Sequence, residues 1–95
     1  MFIVLINYIK PFEIVEQYIA AHRAFLDEGY KNNCFVASGP QVPRTGGVII
    51  SQLKDRALLE SILQNDPYQL QQIADYQIIE FNPVKYHEGF LAFIN

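Results

Sequence analysis

The sequence is short of several things, and each shortage removes a class of function. A single cysteine, Cys34, stands among 95 residues. That excludes an internal disulfide and any metal cage built from several thiolates, and it fits a reducing compartment. With Phe35 and Val36 beside it, Cys34 reads as an ordinary buried thiol. Basic residues are few as well, seven Lys and Arg against ten Asp and Glu for a formal net charge of -3. They are scattered from Lys10 to Lys85 and form no stripe that would neutralise a phosphate backbone, so no nucleic acid partner is expected. Long apolar runs are missing too. The opening "MFIVLINYI" has no basic flank and is far shorter than the roughly 20 residues of a membrane helix. No membrane association and a cytoplasmic location are the expectation. No low-complexity stretch or internal repeat interrupts the chain.

What remains is 51% hydrophobic and 18% charged, the composition of one compact domain spanning residues 1–95. A domain of this size buries only about 60 to 65% of the surface its unfolded chain exposes, so a subunit interface would add useful stability.

The hydrophobic period changes several times along the chain. Phe2 to Tyr8 is β-branched and aromatic, a strand stopped by Pro11, which then opens a helix running to Gly29 as its C-terminal stop. Cys34–Ser38 and Gly47–Leu53 are two further strands, joined by the Pro- and Gly-rich loop "GPQVPRTG". Asp55 caps a second helix with Leu58, Leu59, Ile62 and Leu63 on its inner face, ending near Asn65. "PYQLQQIA" adds a helical turn or two, and Tyr76–Phe81 is the fourth strand. The order βαββαβ with right-handed crossovers predicts an α+β ferredoxin-like sandwich, an antiparallel sheet with its helices on one face. In the first strand Phe2, Val4, Ile6 and Tyr8 fall on one side and Ile3 and Leu5 on the other. Neither side is polar, so a second sheet, most simply from another copy, is expected to cover the face opposite the helices.

Two residues stand out from this pattern. Val15, Tyr18, Ile19, His22, Phe25 and Leu26 share one face of a helical repeat, which puts His22 in the middle of an apolar stripe. A buried histidine is commonly satisfied by a neighbour without doing chemistry. The second residue is Asp66 in "NDPYQ". Asp before Pro is a common opening for a helical turn, and a carboxylate has acceptor sites to spare for an imidazole. A carboxylate on one ring nitrogen fixes the tautomer and leaves the other free to take a proton, so the pair His22 and Asp66 suits a positioned general base. "ASGP" at Ala37–Pro40 offers the Ser38 hydroxyl and the Gly39 amide at a strand end, although Gly and Pro there also simply turn the chain. His87, beside Glu88, has too few partners for a metal site and reads as a surface residue.

Taken together, "AHRAFLDEG", "ASGP", a glycine opening the third strand, "NDPY" and "IIEFNP" resemble the YciI-like proteins, small ferredoxin-like domains that form dimeric α/β barrels. The resemblance spans nearly the whole chain. It implies a homodimer or higher homo-oligomer with a small-molecule pocket, in which His22 and Asp66 are the active-site pair and Ser38 and Gly39 contact substrate. Some relatives eliminate a leaving group such as chloride from hydroxylated rings. The apolar ending "YHEGFLAFIN" departs from the usual short terminus. Phe90, Leu91 and Phe93 in this extension, residues 86–95, are expected to be buried against the sheet or a neighbouring subunit.

Three functional classes follow. One is a lyase-type or isomerase-type enzyme that works by proton abstraction with no cofactor and no metal, with His22 as base, Asp66 stabilising the imidazolium, and Ser38 with the Gly39 amide on a substrate oxygen. Another is a non-catalytic ligand-binding or accessory module using the same cleft. The third, an RNA-recognition domain, is disfavoured because "GGVIISQL" supplies neither the aromatic nor the basic residues that hold bases on a sheet.

Overall fold

A computed structural model describes residues 1–94 and contains four strands and four helices, followed by a 3-10 helix. The order is β1 (Phe2–Tyr8), α1 (Phe12–Glu16), α2 (Ile19–Lys31), β2 (Phe35–Pro40), β3 (Gly46–Ser51), α3 (Arg56–Leu63), α4 (Pro67–Leu70) and β4 (Ala74–Glu80), with the 3-10 turns at Glu88–Phe93. The strands form one sheet in the order β2-β3-β1-β4, and every neighbouring pair is antiparallel. This is the ferredoxin-like arrangement, with the helices packed on one face.

Alternation in β1 sets the layers. Phe2, Val4 and Ile6 are fully buried on the helical side, where they meet Ile49 of β3, Leu59 and Leu63 of α3, Val15 of α1 and Tyr68 of α4 in one core. The alternate residues form apolar rows on the opposite face. Ile3 lies between Ile50 and Ile79, and Leu5 lies between Val48 and Gln77. Ile79 is 42% exposed, so among the described residues this face is not sealed.

Several boundaries differ from the sequence expectation. The first helix is two helices. Gln17 and Tyr18 bond to carbonyls three residues back, and Tyr18 leaves the helical region at φ -115. As a result Val15 is fully buried, while Tyr18, Ile19, His22, Phe25 and Leu26 are each partly covered. Gly29 does not stop the helix, which runs on to Lys31. Asn33, at φ 57, takes the left-handed position instead. Gly29 is needed for proximity, because a Cβ there would collide with the Phe35 ring.

In α3 the cap is as expected, with Asp55 accepting from the Ala57 and Leu58 amides. Leu58, however, is 46% exposed. The eight-residue helix turns Leu59 and Leu63 inward and leaves Leu58 on the rim. β4 begins two residues early, with Ala74 and Asp75 pairing with Tyr8 and Asn7, so Tyr76 stands inside the strand on the helical side.

The extension after β4 leads into the 3-10 turns at Glu88–Phe93. His87 is exposed and caps the 3-10 helix by accepting from the Gly89 amide. Phe90 and Phe93 are half-buried and pack on each other at 5.4 Å, whereas Leu91 is 53% exposed in the single chain. Within one subunit the expected burial is therefore only partial. Phe93 and Ile94 line a hollow with Met1, Gln52 and Glu80 at the start of β1. Among the described residues no helix is long and apolar enough to cross a membrane.

Candidate functional site

The other end of β1 holds a cavity of about 410 Å³ between α2 and the sheet. It exists because the inward positions there carry little bulk. On β3, Gly47 stands opposite Ile6 and Pro40, and on β2 the inward residue opposite Ile49 is Ser38. Toward the far end the same two strands present Phe35 and Ser51, both buried, and the space is filled. Next to Gly47, Gly46 allows β3 to close against β1, since a Cβ there would collide with the Ile6 carbonyl oxygen.

His22 lines this cavity from α2, with its side chain 13% exposed. Its Nδ1 is 2.8 Å from Oδ1 of Asp66, which is fully buried. Asp66 is the N-cap of α4 and has Pro67 at the first helical position, so the local chemistry of "NDPY" fixes where the carboxylate stands. Three donors converge on it. The Tyr68 amide and His22 Nδ1 reach Oδ1, and the Tyr76 hydroxyl donates to Oδ2. An ionised carboxylate only accepts, so Nδ1 carries a proton in this contact, and in the neutral imidazole the lone pair is on Nε2. The imidazole lies flat on the Tyr68 ring, with centroids 4.0 Å apart and planes 9° apart. Hydrogen bond and stack together allow one orientation of the ring.

Burial raises the Tyr76 phenol far above the ordinary tyrosine range, and the Asp66 charge pushes in the same direction. Tyr68 is also raised, first by burial and then by the nearby Tyr8 hydroxyl, against the pull of Arg44. Both shifts favour the protonated phenol, the form in which Tyr76 donates to Asp66.

The residues expected at the site divide clearly. His22 and Asp66 meet in space across 44 positions of sequence. Ser38 lines the cavity, and its hydroxyl is 2.7 Å from that of Tyr30. Gly39 lines it through its backbone, since its register partner Val48 belongs to the opposite face of the sheet. Sequence reasoning did not find Tyr8, Tyr30, Tyr68, Arg23 and Arg44 on the walls, nor Tyr76 behind Asp66. For Tyr76 the strand alternation with Ile78 was a usable signal for the side it faces. Its partner was not readable. Among the described residues, no group of three or more His, Cys, Asp and Glu is placed to hold a metal ion.

The family model described as the YCII-related domain matches residues 1–82. No curated protein matches the chain. Among solved structures, 5-chloro-2-hydroxyhydroquinone dehydrochlorinase (TftG) from Burkholderia phenoliruptrix AC1100, in complex with 2,5-dihydroxybenzoquinone, is similar over 85% of this chain and 93% of that one. The TM-score is 0.71 at 17% sequence identity, a likeness of fold.

Proposed function

The chain belongs to the YCII-related domain family, and from that premise we propose that it is a small-molecule enzyme of the lyase type, dehydrochlorinase-like, in which His22 and Asp66 abstract a proton. The observation that carries the reading is the 2.8 Å contact between Nδ1 of His22 and the buried Asp66, made by a ring that lines the cavity and whose Nε2 has no hydrogen-bond partner among the described residues. Nε2 is the base. Asp66 holds the tautomer and stabilises the imidazolium that forms, and Tyr76 holds Asp66 through its second oxygen. Ser38 positions a substrate oxygen at the opposite wall, where Gly39 keeps the strand slender, and the Tyr30 hydroxyl orients Ser38.

On a chlorinated polyhydroxybenzene, one hydroxyl proton moves to the chlorine-bearing carbon. A second hydroxyl proton passes to Nε2 as the C–Cl bond breaks, chloride leaves with the bonding pair, and two ring carbonyls remain. The neighbouring structure is a dehydrochlorinase with a dihydroxyquinone bound, which supports this class of substrate. The same proton abstraction beside a carbonyl would serve an isomerase acting on a lactone or enol. The functional unit is a homodimer, in which the apolar face carrying Ile3, Leu5, Val48, Ile50 and Ile79 packs against a second copy.

Chloride release and quinone absorbance, followed with 5-chloro-2-hydroxyhydroquinone and a panel of halogenated phenols, lactones and enols, test the reading. The wild-type chain turns over a member of the panel, and His22→Gln keeps the fold and loses activity by about 10²-fold or more. A chain that binds panel members without converting any would be a binding module instead. Equilibrium ultracentrifugation tests the dimer, and a stable monomer at micromolar concentration would rule it out.

A further inference from the structure

Arginine is rare in this chain and unevenly used. There are three, Arg23, Arg44 and Arg56. Arg56 pairs with Glu60 on the surface of α3, while the other two line the His22 cavity. None of the four lysines does, and of the ten acidic residues only Asp27 is on its walls. An acidic chain has therefore placed two of its three arginines around one concave place. Neither Arg23 nor Arg44 forms an ion pair among the described residues, where the pairs found are His22 with Asp66 and Arg56 with Glu60.

The two groups approach the cavity from different elements. Arg23 follows His22 on α2. Arg44 stands in the loop between β2 and β3, with its guanidinium carbon 5.3 Å above the centre of the Phe12 ring. That cation–π contact involves no N–H acceptor, so the guanidinium donors remain available to an anion. The loop has its own anchor, since the Gln41 side chain donates to the Ile6 and Gly47 carbonyls. From Phe12 a run of aromatic contacts through Tyr8 and Tyr68 ends at His22, so Arg44 belongs to the same wall as the base.

We infer that this site selects planar ring compounds carrying an ionised oxygen, a carboxylate or an acidic enolate, with Arg23 and Arg44 as its specificity-determining residues. The inference deepens the reading of the cavity as a small-molecule site and rests on it. Guanidinium matches a two-oxygen anion edge to edge, which a lysine ammonium does not. A volume of about 410 Å³ holds one substituted ring. Tyr8 and Tyr68 offer an aromatic wall beside it. Both arginines are solvent-exposed, so the selectivity is moderate and falls with salt.

The test compares 2,5-dihydroxybenzoate with 2,5-dihydroxybenzamide, which has the same ring and hydroxyls without the charge. Calorimetry or tyrosine fluorescence follows binding to the wild-type chain, to Arg23→Gln, to Arg44→Gln and to the double variant. Circular dichroism confirms that each is folded. The wild type binds the carboxylate about tenfold tighter than the amide, a preference that shrinks when salt is raised from about 0.05 to about 0.5 M. Each single variant loses several-fold of it, and the double variant loses all of it. Equal binding of the two probes by the wild type overturns the inference, as does a preference that survives in the double variant. Failure of both probes to bind at millimolar concentration overturns it as well. Failure of the catalytic reading looks different: the carboxylate preference is intact and no substrate is converted.

Discussion

Two aspartates open helices in this chain, and they show how little of a site is contained in a capping motif. Asp55 starts α3 with Oδ1 accepting from the Ala57 amide at 2.9 Å and the Leu58 amide at 3.3 Å, on the surface. Asp66 starts α4 by the same device, accepting from the Tyr68 amide at 3.1 Å, but it is wholly out of water. An isolated buried carboxylate would be costly. Asp66 is stable there because α2 brings His22 and β4 brings Tyr76 to its remaining lone pairs. The local sequence places each carboxylate, and the tertiary donors make one of them part of a candidate site.

The most disruptive way to test that contrast is to remove each carboxylate in turn. Asp55→Ala removes a surface cap and costs about 1 kcal/mol. Asp66→Ala removes a cap and also strands His22 and Tyr76, at a cost of about 3–5 kcal/mol. Urea denaturation of the two variants measures the difference. Equal losses would mean that the converging donors add nothing to Asp66. A milder substitution divides the two roles of Asp66. Asp66→Asn retains an oxygen for the Tyr68 amide but loses the charge and the fixed tautomer, so turnover falls by about 10²-fold or more while the cap contribution is largely kept. Asp55→Asn on the same assay leaves turnover unchanged.

The contrast also marks what was legible in the sequence. Strand alternation in Phe2–Tyr8 and the Asp-Pro opening of α4 are local, because neighbours along the chain dictate them, and both stand as expected. The break at Tyr18 and the passage of α2 beyond Gly29 were not legible. The first depends on how α1 and α2 each settle on the core, and the second on a Phe35 ring arriving from β2. His22 and Asp66 were paired in advance by chemistry and by family resemblance, not by any pattern linking positions 44 apart. Arg44 was hidden for a different reason. Basic residues scattered in sequence form no stripe, yet the fold brings two of them to one cavity, and spacing carries no trace of that.

A smaller effect sharpens the comparison at the second oxygen of Asp66. Tyr76→Phe keeps the ring in the core and removes only the hydroxyl that donates to Oδ2. One carboxylate lone pair is left facing a phenyl edge, so the variant loses about 1–2 kcal/mol by thermal or urea denaturation. Asp66 then turns more freely about its Cβ, His22 is less well oriented, and kcat falls more than KM rises. An unchanged kcat with the same loss of stability would make Tyr76 a structural partner only. Filling the cavity tests the opposite wall. Gly47→Leu projects into the space between Ile6 and Ser38 and blocks binding of ring compounds without touching the dyad.

The smallest effect at neutral pH grows only in alkali, and its sign follows from the Tyr76 phenol. In the folded chain burial and the adjacent Asp66 hold the phenol protonated well above the ordinary tyrosine value, whereas in the unfolded chain it titrates near the ordinary value of about 10. A group whose folded pKa is raised binds its proton more tightly when folded. Its contribution to stability is fully present below about pH 10 and is lost as the pH rises further, because the unfolded state then releases a proton that the native state retains. Tyr68 is raised in the same direction and adds to the slope. Between about pH 9 and about pH 12 the unfolding free energy of the wild type therefore falls, and phenolate absorbance from these two residues emerges together with the loss of far-ultraviolet circular dichroism. In Tyr76→Phe the alkaline slope is shallower by the contribution of one phenol. Asp55→Ala, on the exposed cap, leaves that slope as it is in the wild type. If Tyr76→Phe left the slope unchanged too, the hydroxyl would be ionising within the folded chain, and Asp66 would have lost its third donor without unfolding.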